Sequence, residues 1–259
     1  MNKTRELYYY FGRNEKHDYI AMSMDSCIVT GNIGRGRDTF LNSLLVRLIQ
    51  ETNPKELDIS FYDMTGANSF LWDGAVPMGK VIPQFKEVVS YSMCYEKEEY
   101  FTLTKKLRDT LEDAENRVAY CELQKINSYL ESDSTKKTEL IIMSDFKYYL
   151  RSGVNKVWFR DTIKYLVENA KMTGIYLMLL GYDYSDMEDV VKCFPIRVVT
   201  PCSEDTSNLF IGCNMAGLDN SKSGVVYVKN GDKFPIKLYV PFYPDTWLRK
   251  FIGYYSVRS

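Results

Sequence analysis

Residues 27–49 constrain the fold more than any other stretch of the chain. Cys27-Ile28-Val29-Thr30 is a short apolar run of strand character, and Gly31-Asn32-Ile33-Gly34-Arg35-Gly36 is a glycine-rich turn. Phe40, Leu41, Leu44, Leu45, Leu48 and Ile49 then repeat at helical spacing, up to a stop near Thr52-Asn53-Pro54. A buried strand turned tightly into an amphipathic helix is the first half of a βα unit, which commits the chain to a layered α/β fold.

The rest of the sequence extends that pattern. Leu57–Tyr62, Glu139–Met143, Ile175–Leu180, Ile196–Thr200, Gly224–Val228 and Ile236–Val240 read as strands. Val157–Met172 reads as one amphipathic helix, stopped by Gly174. Glu87–Leu130 has no Gly or Pro and is rich in Glu, Lys and Leu, so it reads as one or two long helices with a solvated face. Residues 7–24 read as two strands around a turn at Gly12–Lys16. Apolar strands alternating with helices predict an α/β fold with a mainly parallel sheet sandwiched by helices. At 259 residues, one domain over 1–259 is expected, with an N-terminal β-hairpin over 1–25 and a long helical insertion or crossover over 87–131.

Composition narrows the chemistry. Lys and Arg number 33 against 34 Asp and Glu, a net charge of −1 that gives no broad positive field for nucleic acid. The single histidine, His17, excludes a histidine-based triad and a multi-histidine metal site. Cys27, Cys94, Cys121, Cys193, Cys202 and Cys213 form no Cys-x-x-Cys pair and read as reduced core thiols. No apolar stretch approaches the ~20 residues that span a bilayer, and the first residues have no apolar signal-peptide core.

A phosphate-binding loop reads G-x-x-x-x-G-K-[ST]. Here the window is Gly31-Asn32-Ile33-Gly34-Arg35-Gly36-Arg37-Asp38, followed by Thr39. Both framing glycines are present, and the loop amides and helix N-terminus suit an anion. Arg37 stands in the lysine position with a bulkier, planar cation. Asp38 stands where a hydroxyl would ligate Mg²⁺. Its charge would oppose a triphosphate by ~4 kcal/mol for unit charges ~4 Å apart at an effective dielectric of ~20, or ~3 decades of affinity if unrelieved. The spacing equally fits a tight βα turn in which Asp38 is a first-turn acid favourable to the helix dipole. A second motif lies at the end of strand 139–143. There Ser144-Asp145-Phe146 leaves one carboxylate, Asp145, which either belongs to a site or caps the next segment.

The order of these pieces resembles the FtsK/SpoIIIE family of RecA-like motor domains, and above all the C-terminal ATPase domains of the EssC/EccC coupling proteins of type VII secretion. Gly31–Leu48 resembles the family's P-loop and helix, including Leu41-Asn42-Ser43. Phe61-Tyr62-Asp63 resembles its next strand, Gly74-Ala75-Val76-Pro77 its Gly-x-x-Pro turn, and Ile141–Phe146 its second acidic motif. Ala170–Leu177 resembles the segment before its sensor strand, and Gly224–Gly231 the late strand and turn of the secretion branch. Four departures coincide. Lysine becomes Arg37, Ser/Thr becomes Asp38, the Asp-Glu pair becomes Ser144-Asp145, and the sensor Thr-Gln becomes Gly181-Tyr182.

The resemblance implies a RecA-like P-loop NTPase fold and a degenerate, hydrolysis-deficient domain of a secretion motor, acting in substrate docking or regulation. It implies weak ATP binding at most, no catalytic residue and no metal. The implied partners are secreted proteins of the type VII system and neighbouring ATPase domains of the same chain, with no nucleic acid and no direct membrane contact. The implied setting is a cytoplasmic domain of a membrane-anchored protein. The alternative is an active ATPase in which Arg37 clamps phosphates, Thr39 reaches the metal and Asp145 activates water. A DNA translocase is the third reading. It is disfavoured because the densest basic cluster, Lys105, Lys106 and Arg108, sits on an alternating-charge helix expected to be solvated. Tyr8–Phe11, Trp72 and Phe242–Tyr255 are the candidate aromatic docking surfaces.

Overall fold

The computed structural model describes residues 6–66, 72, 80–91, 97–133, 135–151, 153–218 and 224–258. The elements run β1 (Tyr8–Arg13), β2 (Tyr19–Ser23), β3 (Cys27–Thr30), α1 (Arg37–Glu51), β4 (Leu57–Asp63), β5 (Lys80–Val81), β6 (Phe85–Ser90) and α2 (Lys97–Gln124). They continue with β7 (Thr138–Ser144), α3 (Lys147–Arg151), α4 (Lys156–Glu168), α5 (Ala170–Thr173), β8 (Ile175–Gly181), α6 (Glu188–Cys193) and β9 (Ile196–Val199). The last are α7 (Glu204–Ile211), α8 (Met215–Leu218), β10 (Val225–Asn230), β11 (Ile236–Tyr239), α9 (Asp245–Tyr255) and β12 (Val257–Arg258).

The chain divides into two compact units, each discontinuous in sequence. One comprises Glu6–Thr52 and Met178–Phe251, and the other Asn53–Leu177 and Ile252–Ser259. In the first, the strand order is β2-β1-β11-β10-β9-β3-β8. All four residues of β3 are buried. They pair in parallel with Ile196–Val199 on one side and with Met178–Gly181 on the other. α1 follows, burying Phe40, Leu41, Leu44, Leu45, Leu48 and Ile49, the residues its periodicity selects. Phe11 stacks on Phe40 at 6.0 Å, which ties the first hairpin to this helix.

The strands beyond β9 run antiparallel: β9 with β10, β10 with β11, β11 with β1, and β1 with β2. Apolar content alone does not reveal this direction. Link length does, because only Gly231–Pro235 separate β10 from β11. That is too short for a parallel crossover of a dozen or more residues.

The second unit holds the parallel order β7-β4-β6 and a two-stranded ladder of β5 with β12. Helix α2 is a single 28-residue helix. It begins ten residues after Glu87, because residues 85–90 form β6 instead. Val88 and Val89 suit a strand beside β4, and tertiary pairing overrides the charged context. Leu103, Leu107, Ala114 and Cys121 form the buried seam of α2. The expected helix 157–172 is broken at Asn169, whose side-chain amide donates to the Tyr165 carbonyl at 2.9 Å. Gly174 then closes α5 with φ +73, and a Cβ there would meet Leu130 at 2.9 Å.

The basic cluster on α2 is not simply solvated. Lys106 pairs with Glu87 and lies 5.2 Å from the centre of the Tyr62 ring, and Arg108 lies 5.6 Å from that of Trp158. Further along, Arg117 bridges Asp113 and Glu139 and donates to the Thr173 carbonyl at 3.0 Å. Lys86 adds a second contact to Glu139 at 3.3 Å.

Among the described residues no helix is long and apolar enough to cross a membrane. Cys27, Cys121, Cys193, Cys202 and Cys213 are free thiols, and Cys94 lies outside the described residues. Burial pushes the Cys202 thiol up to about 12, so it stays protonated at neutral pH.

The Arg117–Glu139 pair generates a pH prediction. Burial raises the Glu139 carboxyl, but the charge and hydrogen bonds of Arg117, with help from Lys86, hold it below its ordinary value. A lowered carboxylate stabilises the fold above its unfolded pKa of about 4.3 and loses that contribution as pH falls through the folded value. Glu139→Gln is expected to cost roughly 2 kcal/mol at pH 7, between the exposed and buried ion-pair ranges. The difference from wild type should shrink below about pH 4, as read by urea unfolding at each pH.

Candidate functional site

The glycine loop is shaped by contacts inside the first unit. A Cβ on Gly31 would lie 1.7 Å from the Thr200 hydroxyl oxygen and 2.9 Å from its Cβ, so only glycine fits. The Asn32 amide donates to the Pro201 carbonyl at 3.1 Å, and the Arg35 amide closes a turn on the Asn32 carbonyl at 3.1 Å. Gly34 and Gly36 take φ +73 and +101, where a side chain is disfavoured. Gly36 is the N-cap of α1 and, having no side chain, adds no capping hydrogen bond. Its carbonyl accepts the Phe40 amide at 2.8 Å. The helix therefore starts from a glycine turn in which the Asn32 and Arg35 amides are already bonded to carbonyls.

At the loop's end two side chains of opposite charge lie together. Arg37 is buried, and its Nε lies 3.7 Å from the Asp38 carboxylate, which is 59% exposed. Arg37 and Asp38 therefore form an ion pair at the start of α1. Asn32, Ile33, Gly34 and Arg35 are exposed, and Thr39 is half-buried. Gly181, expected from the resemblance at the sensor strand's end, pairs in register with Thr30. Tyr184, three residues on, is buried and donates to the Val29 carbonyl at 2.9 Å.

In the second unit the acidic motif sits at the carboxyl end of a parallel pair, where Asp63 of β4 stands in register with Ser144 of β7. The Met64 amide donates to the Ser144 carbonyl at 3.0 Å, locking the two strand ends together. Ser144, Asp63 and Asp145 are all buried. The Thr65 hydroxyl is 3.2 Å from an Asp63 oxygen and 3.3 Å from an Asp145 oxygen. Asp145 thus has a nearby carboxylate that the reading of Ser144-Asp145 as a lone acid missed. The available signal was Asp63 as the last residue of an apolar strand run. Asp145 also adopts φ +55, a left-handed conformation uncommon for aspartate.

The expected aromatic surfaces fare unevenly. Trp72 is fully buried and packs on Phe85 at 5.7 Å, so it is core. Tyr9 and Phe11 are core as well, leaving Tyr8 exposed in that stretch. Phe242 and Tyr254 are 72% and 82% exposed. Tyr243, Trp247 and Phe251 stack in series at 4.4 and 5.3 Å. Gly74–Pro77 lies outside the described residues. Among the described residues no group of three or more His, Cys, Asp and Glu could hold a metal ion.

The sequence matches no protein-family model and no curated protein, whereas the fold matches solved structures. The cytoplasmic domain of the Thermomonospora curvata type VII secretion ATPase EccC aligns over 98% of this chain and 31% of its own, at 13% identity and TM-score 0.77. ATPases 2 and 3 of EssC from Geobacillus thermodenitrificans align over 96% of this chain and 48% of their own, at 12% identity and TM-score 0.73. T. curvata EccC ATPases 2 and 3 in complex with a signal sequence peptide align over 96% and 46%, at 12% and 0.70. The chain spans less than half of each of these neighbours.

The fold is therefore that of a RecA-like P-loop ATPase domain. It is the fold seen in the ATPase domains of EccC and EssC, and at these identities the likeness is one of fold alone.

The backbone at Asp145 can be tested directly. Asp145→Ala is expected to destabilise the chain by about 1–2 kcal/mol, the cost of a left-handed residue without a short polar side chain. Asp145→Asn should cost less than half of that, as measured by guanidinium unfolding.

Proposed function

We propose that this chain is a degenerate RecA-like module of a secretion motor, used for substrate docking or regulation rather than for rapid ATP hydrolysis. The observation that carries this reading is the Arg37–Asp38 pair. The loop's cation is buried beside its own acid at 3.7 Å, and the acid occupies the seat of the metal-binding hydroxyl. A Mg²⁺–triphosphate does not fit that donor set. The position of the metal-binding hydroxyl carries an anion that would repel the phosphates, and the lysine position carries a bulkier planar cation 3.7 Å from that anion. The module's partners would be secreted proteins and the neighbouring ATPase domains of a longer chain. Support comes from the EccC complex with a signal sequence peptide and from the multi-ATPase chains that share the fold. Such a module would sit on the cytoplasmic side of a membrane-anchored protein. The near-neutral charge speaks for a protein rather than a nucleic-acid partner.

A second reading, slow hydrolysis, is favoured by one observation: Asp63 and Asp145 share Thr65, so the second unit keeps two carboxylates at its strand ends. Titration calorimetry with ATP, with and without Mg²⁺, separates the two. The degenerate reading expects a Kd weaker than about 1 mM and no gain from Mg²⁺. The double variant Arg37→Lys, Asp38→Thr should tighten Mg–ATP binding at least tenfold, about 1.4 kcal/mol. Micromolar Mg²⁺-dependent binding with phosphate release, abolished by Arg37→Ala, would overturn it.

A further inference from the structure

Two independent struts run from the base of the glycine loop to the same helix, and all their members lie in the first unit. The first is the segment after β9. Thr200 donates its amide to the Thr30 carbonyl at 2.9 Å, and its hydroxyl lies 3.4 Å from the same oxygen. Its side chain fills the space where Gly31 lacks a Cβ, and the next carbonyl, of Pro201, takes the Asn32 amide. Two residues later Ser203 caps α7, its side chain accepting the Thr206 amide at 3.3 Å. The second strut is Tyr184. Its hydroxyl donates to the Val29 carbonyl at 2.9 Å, and its ring meets Phe210 of α7 edge-on at 5.0 Å. Tyr184 and Phe210 are both buried, and Thr200 is fully so.

A close-packed contact of this kind transmits displacement instead of absorbing it. The Gly31 face has no slack, since the Thr200 Cβ already sits inside the distance a Gly31 Cβ would need. Rotating the Thr200 hydroxyl away therefore gives no relief, and the backbone at residue 200 must move. That backbone leads directly into the α7 cap. The opposite end of α7 is held through Phe210 by the Tyr184 hydroxyl on β3. The end of β3 at Val29 and Thr30 and the start of the loop at Gly31 and Asn32 are thus gripped by groups that all lead to α7.

We propose that the glycine loop and α7 form one mechanical element, in which a change in the shape of residues 31–36 shifts α7 through Thr200–Pro201 and through Tyr184–Phe210. α7 is then the helix that reports the state of the loop, whatever causes that state to change. The coupling does not depend on the loop binding ATP and holds under either functional reading.

Hydrogen exchange of the whole chain, resolved by peptide, tests the coupling without any ligand. Gly31→Ala pushes the loop from inside and is expected to raise exchange over residues 32–36 and over 204–211 together, each by at least about tenfold. Adding Thr200→Gly to Gly31→Ala removes the opposing Cβ and should return 204–211 to within about threefold of the Thr200→Gly single variant. Tyr184→Phe keeps the ring on Phe210 but loses the bond to Val29. It should raise exchange over 204–211 about fivefold while strands β4 and β7 stay unchanged. Faster exchange confined to the loop in Gly31→Ala, with 204–211 at the wild-type rate, would overturn the proposal. If Gly31→Ala does not fold, Tyr184→Phe decides alone, and an unchanged 204–211 sinks the coupling.

Discussion

The parallel pairing of β3 on both edges is the constraint from which the rest of the first unit follows. Four residues, Cys27–Thr30, are buried and hydrogen-bonded to β8 and β9 in fixed register. With Thr30 held beside Gly181 and Val199, the next residue has no freedom of position. Gly31 is delivered against Thr200, and the loop must turn there. The glycine is required by space and not by backbone angle, unlike Gly34 and Gly36, whose positive φ values set the turn itself. The start of α1 and the location of Arg37 and Asp38 are consequences of that one placement.

The two centres of chemical interest have opposite electrostatic characters. At the start of α1 opposite charges adjoin, since a buried guanidinium lies 3.7 Å from a carboxylate on the adjacent residue. At the strand ends of the second unit, two buried carboxylates share a threonine hydroxyl. Two acids in one low-dielectric setting repel, and a hydroxyl between them can donate to only one at a time. Asp145 is thus accompanied by an acid from the neighbouring strand. The parallel register that puts Asp63 opposite Ser144 is what brings them together.

The second unit depends on another kind of contact. Arg117, on the long helix, gathers Glu139 at the start of β7, Asp113 one helical turn away and the carbonyl of Thr173. One guanidinium thereby joins α2, α5 and β7. This suits arginine, whose five donors in a planar fork can serve several acceptors, where a lysine would serve as a point charge. The exposed aromatics, by contrast, are scattered, and Trp72, prominent in the sequence, is spent on the core against Phe85.

Local sequence was enough for the α/β class, the strand–loop–helix at 27–49, the strand cores at 57–62, 139–143 and 175–180, and the positions of the glycine loop and of Ser144-Asp145. Each of these is written in local periodicity, glycine placement or adjacent residues. Tertiary structure alone decided that 85–90 pairs as a strand, because partner strands, not neighbouring charges, set its state. It also decided that the N-terminal hairpin pairs with β11, that β10 lies antiparallel to β9, and that Trp72 is buried. The meetings of Gly31 with Thr200, Tyr184 with Val29, and Asp63 with Asp145 were likewise beyond reach. They join residues 169, 155 and 82 positions apart, and such contacts depend on which strands become neighbours, for which a linear pattern carries no signal.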